Sequence, residues 1–131
     1  MIQFSSMKFK NMVAVLYVFV AISAGAASSA AFGATFTATS RGGDSWTLSF
    51  NEDTITTSTS EAIFCNARQA MIIRADLWMP SMGHGSSPVA LFPQASGCTA
   101  IRNLNFMMRG DWDVRVWLNN NDSGVFSIEV R

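Results

Sequence analysis

The residues Met79, Met82 and His84 stand within the stretch WMPSMGHGSS, Trp78 to Ser87, and His84 is the only histidine of the 131-residue chain. Two thioethers and an imidazole are soft, neutral donors. They suit Cu(I), a singly charged soft ion, better than a hard dication. Pro80, Gly83 and Gly85 make the stretch a turn, and a turn can aim closely spaced side chains at one point. The competing explanation is plain packing. Methionine fills irregular gaps well, Pro80 can simply end a strand, and His84 can close the loop by bonding a backbone carbonyl. Met107 and Met108 are candidates for a further ligand if their loop lies at the same end of the fold. Zinc is a poorer match, with one histidine and no local carboxylate beyond Asp76.

An enzyme is not expected. A serine–histidine–acid triad would have to combine His84 with Ser81, Ser86 or Ser87, and no nucleophile-elbow pattern accompanies them. Asp111 and Asp113 sit two apart beside a turn and read as solvated surface, not as a glycosidase pair. Phosphate-loop and dinucleotide motifs are missing from the sequence.

The elements that must position the loop come after an export segment. Lys8 and Lys10 precede the apolar run Met12–Ile22, and a stretch of small residues follows. That order reads as a secretory signal peptide over residues 1–34, cut between Ala26 and Ala34. An uncleaved membrane anchor is the alternative. The strongly apolar core is short of the ~20 residues that span a bilayer. Beyond it seven arginines face nine acidic residues, so neither nucleic acid nor an anionic membrane surface is an expected partner. The address is periplasmic or secreted. Cys65 and Cys98 both fall in the exported part, where an oxidising compartment favours a disulfide over two thiolate metal ligands.

Period-two alternation predicts strands. SWTLSF sets Trp46, Leu48 and Phe50 on one face, and AIFC is a short apolar candidate. In AMIIRADLWM, Met71, Ile73, Ala75, Leu77 and Met79 alternate with Ile72, Arg74, Asp76 and Trp78. VALF is brief. CTAIRNLNFMM sets Ala100, Arg102, Leu104, Phe106 and Met108 against Thr99, Ile101, Asn103, Asn105 and Met107. Arg109-Gly110-Asp111 reads as a hairpin turn. WDVRVWL points Trp112, Val114, Val116 and Leu118 inward, and VFSIEV does the same with Phe126, Ile128 and Val130. About seven antiparallel strands with turns at regular spacing predict an all-β, immunoglobulin-like sandwich over residues 35–131, preceded by a signal helix.

MPSMGHGSSP followed by NLNFMMRGDWDVRVWL resembles the YtkA-like domain and, more distantly, the periplasmic part of FixH-type proteins. The second motif is carried by Phe106, Met108, Gly110 and Trp112. The resemblance covers about Met71 to Val130. It implies a small extracytoplasmic β-sandwich linked to copper handling and respiratory oxidase maturation. Cys98 stands where the family often has an aromatic residue. The expected ligands are Met79, Met82 and His84, with Met108 or Met107 as a fourth, and the expected partner is a periplasmic or membrane protein. The alternative is a protein-interaction domain without metal, using Trp78 and Trp117 on otherwise polar strand faces.

Overall fold

The computed structural model describes residues 33–131. The expected signal segment falls almost wholly outside these residues. Nine strands follow in chain order: β1 (Thr35–Thr39), β2 (Ser45–Phe50), β3 (Thr59–Asn66), β4 (Ile72–Met79), β5 (His84–Gly85), β6 (Ala90–Pro93), β7 (Thr99–Asn105), β8 (Gly110–Leu118) and β9 (Ser123–Val130). Two antiparallel sheets form, in the orders β1-β2-β3-β7-β6 and β5-β4-β8-β9. The described residues contain no helix, and so none long and apolar enough to cross a membrane.

The strand order explains the class. Lettered as in immunoglobulin domains, β2-β3-β7-β6 takes the places A-B-E-D and β5-β4-β8-β9 the places C′-C-F-G, with β1 added outside. The core lies between the sheets. Trp46, Leu48, Phe50 and Phe64 from one sheet meet Trp112, Val114, Val116, Phe126 and Ile128 from the other, all buried. Their rings interlock edge to face, with Trp46 and Phe64 centroids 5.1 Å apart at 88°. Burying each such side chain contributes about 1.5–3 kcal/mol, which is why unbroken alternation in β2, β8 and β9 fixes their faces.

Two bulges break the expected alternation. Pairing between β4 and β8 passes from Ile72↔Leu118 to Arg74↔Trp117, so β4 carries one extra residue. Ile72 therefore packs against the core while Ile73 is exposed, together with Met71. The expected placing of Met71 and Ile73 with Leu77 and Met79 is corrected by that inserted residue. Between β3 and β7 the register passes from Ser60↔Leu104 to Ala62↔Ile101, an extra residue in β7. Asn103 absorbs it at φ 64°, a conformation Asn tolerates, and its side chain donates to Pro88 O at 2.6 Å. Thr99 and Ile101, not Ala100 and Arg102, thus share the inner face with Leu104 and Phe106.

Strands β1 and β5 add to the seven expected. The Arg109–Asp111 stretch is not a hairpin turn, because β7 and β8 belong to different sheets; it carries the chain across the sandwich. Cys65 and Cys98 form the expected disulfide, with α-carbons 4.5 Å apart. It bridges β3 to the residue just before β7, within one sheet, whereas antibody domains link their two sheets. A disulfide places this domain in an oxidising environment.

Candidate functional site

Strand β4 ends at Met79. The backbone N–H groups of Met82 and Gly83 both donate to Met79 O, at 3.2 and 2.9 Å. Gly83 closes this turn at φ 66°, where a side chain would be strained. The chain returns as β5, pairing Met79 with His84 and Trp78 with Gly85. Directly opposed residues of an antiparallel pair share a face, so Met79 and His84 are neighbours on the inner side.

The second motif meets them there. Ser86 Oγ donates to Asn105 O at 2.7 Å, which ties the loop to the end of β7. Phe106 is buried, its ring centroid 6.2 Å from that of Trp112. Trp112 Nε1 donates to Met108 O at 2.9 Å, and the His84 ring lies edge-on to Trp112 at 6.2 Å. The Met79 methyl group reaches Gly110: an added β-carbon there would stand 2.8 Å from Met79 Cε. Both loops therefore occupy one end of the sandwich, around Trp112.

The candidate ligands differ in access. Met79 is 3% exposed, whereas Met82 is 55% and Met108 39% exposed, and Met107 is also open to solvent. His84 is half-buried. Its Nδ1 lies 3.1 Å from Gly85 O. A carbonyl oxygen only accepts, so Nδ1 carries the proton and the neutral ring keeps its lone pair on Nε2. Among the described residues no group of three or more His, Cys, Asp or Glu side chains gathers to hold a metal.

No family model, curated protein or solved structure matches this chain. The chemistry of the loop end accordingly rests on its own geometry.

A second feature escaped the sequence reading, which singled out only its tryptophans. On the outer face of the four-stranded sheet, Arg115 pairs with both oxygens of Asp76, at 2.6 and 2.9 Å. Its guanidinium stacks 4.7 Å from the Trp78 ring centre and 5.7 Å from that of Trp117. Arg74 reaches Asp76 at 3.1 Å and covers Trp117 at 4.5 Å. The hydrogen bond to Asp76 holds the Arg115 guanidinium firmly charged. The signal was present in the outward residues, Arg-Asp-Trp on β4 and Asp-Arg-Trp on β8. Only the register, which sets Asp76 opposite Arg115, joins them.

Proposed function

We propose that this protein is an exported β-sandwich module that binds Cu(I) at its loop end and hands it on within a copper-handling or oxidase-maturation system, to a periplasmic or membrane partner. His84 Nε2 and the sulfurs of Met79, Met82 and Met108 or Met107 are the donors. The observation that carries this reading is the Nδ1 contact with Gly85 O, which in the neutral ring occupies Nδ1 and leaves Nε2 as the nitrogen free to bind a metal. Metal-binding histidines are commonly oriented in this way. Gly110, whose φ of 126° favours glycine, supports it by bringing its backbone close to the Met79 methyl group beside His84. Neutral donors suit a monovalent soft ion, and the exposed Met82 lets such an ion enter and leave.

The test is competition for Cu(I) between the disulfide-bonded protein and a coloured copper chelator, with ascorbate as reductant. His84→Ala and Met82→Leu should each weaken binding, and their combination should abolish it. Binding should also weaken as acid protonates the imidazole, and His84→Ala should remove that dependence. The leucine change is nearly isosteric, so folding should be unaffected. Equal competition by wild type and the double variant would make the loop structural.

A further inference from the structure

We propose that the outer face of the four-stranded sheet pairs two copies of this chain, face to face, with their β8 strands antiparallel. This surface is separate from the loop end and does not depend on copper.

The argument starts from where the charges fall. Outward side chains along β8 run Asp111, Asp113, Arg115, Trp117. Trp78, Asp76 and Arg74 of β4 stand beside Asp113, Arg115 and Trp117 in that order. The free carboxylates Asp111 and Asp113 therefore lie at the Gly110 end beside Trp78; Arg74 and Trp117 lie at the Leu118 end, and the Arg115–Asp76 pair stands between them. Glu129, opposite Asp111, is already held by Arg131 at 2.8 Å. An acidic peptide or an anionic surface would satisfy one end and oppose the other. A second copy satisfies both, provided its strands run the opposite way. A two-fold axis lying across the strands sets Asp113 of each copy over Arg115 of the other. An axis along the strands would set carboxylate on carboxylate, so only the first arrangement is favoured.

The face is also prepared for contact. Arg115, clamped by Asp76 and stacked between two indoles, has little freedom left to lose on docking. Tryptophan and arginine are the residues that most often dominate such contacts. Exposed Val125, opposite Arg115 on β9, adds apolar surface. Strand spacings of about 4.8 Å and a rise of about 3.4 Å per residue give the face roughly 440 Å² per copy. A pair buries about 900 Å² in total, which is in the range of weak, transient interfaces. The dimer is accordingly concentration-dependent.

Sedimentation velocity on the oxidised chain, with a metal chelator present, tests this. The average mass should climb from monomer towards dimer as concentration rises, and added salt should oppose the climb. Asp113→Arg places arginine over the second copy's Arg115, and Val125→Lys adds a charge to the apolar strip. Each should raise the dimer dissociation constant about tenfold or more. Phe92→Lys, on the five-stranded sheet, should behave as wild type. Circular dichroism establishes that each variant is folded. A wild type that stays monomeric at every soluble concentration overturns the proposal. So does dimerisation of folded Asp113→Arg and Val125→Lys at wild-type strength, or its loss in Phe92→Lys.

Discussion

Replacing both bridged cysteines, Cys65→Ala with Cys98→Ala, should cost the sandwich about 3.7 kcal/mol. The bridge spans a sequence separation of 33. For a loop of that length the chain-entropy relation gives about 12.5 cal/mol/K, or about 3.7 kcal/mol at 25 °C. The folded state adds little to this. Both cysteines are half-buried, so alanine opens no closed cavity there. For a domain of this size each kcal/mol moves the thermal midpoint by about 4–8 °C, so the midpoint should fall by roughly 15–30 °C. The mechanism has a second signature. Without the cross-link the unfolded chain expands and exposes more surface, so the denaturant slope m should rise. Urea unfolding followed by tryptophan fluorescence gives both quantities from one curve. Copper competition should not change in the folded variant. The bridge adjoins the Phe64↔Thr99 end of the β3–β7 ladder, and the loop site adjoins the Thr59↔Asn105 end. A loss below about 1 kcal/mol with unchanged m would refute the reasoning, because the loop would then already be closed in the unfolded reference state.

Two further outcomes follow from packing and charge. An added β-carbon at Gly124 would stand 2.7 Å from Cζ3 of Trp46, a ring held against Phe64 and Phe126, so Gly124→Ala should cost about 1–3 kcal/mol. Combining it with Trp46→Phe should cost less than the sum of the two changes, and simple additivity in urea unfolding would contradict the contact. The Asp122 carboxylate accepts hydrogen bonds from Ser40 Oγ and from the backbone N–H groups of Gly42 and Ser123. The Ser40 bond above all pulls its pKa below the ordinary 3.8. A depressed folded pKa gives stability that is present above the unfolded pKa of ~3.9 and lost as pH falls through the folded value. Ser40→Ala should move the Asp122 carboxyl titration, read by carbon NMR, back up towards the ordinary range and shrink that acid loss. An unmoved titration would assign the shift to another cause.

How much of this was legible in the sequence depended on whether alternation ran unbroken. Strands β2, β8 and β9 keep strict period two, and every inward residue assigned to them is buried. Strands β4 and β7 each hold a bulge, and one inserted residue reverses the face of everything beyond it. Nothing in the local hydrophobicity of Met71–Ile73 marks such an insertion, since apolar residues occupy both phases. Asn103 was a better clue, because asparagine is one of the few residues at ease at positive φ. Strand β1, TFTAT, packs only one side and its threonines face solvent, so it lacks the strong apolar alternation of the other strands. Strand β5 has two residues and carries no periodicity. The loop end was legible in composition and in its two motifs. The burial of Met79 depends on the neighbouring strand and on Gly110, which only the assembled sheets supply.

The topology also governs the order in which this chain can become a structure. The central pairings, β3 with β7 and β4 with β8, join strands far apart in sequence, while β1–β2 and β8–β9 are local hairpins. Loop closure must precede most of the stabilising contacts, and sandwiches of this kind fold in milliseconds to seconds. As the chain emerges from the ribosome, Phe64 and Leu77 appear long before the strands that cover them. Neither sheet can be completed until β7, β8 and β9 have been made. The nascent chain therefore stays threadable and vulnerable until the β8–β9 hairpin forms. A truncation that removes this hairpin takes half the strands of one sheet and leaves β4 as an open, aggregation-prone edge.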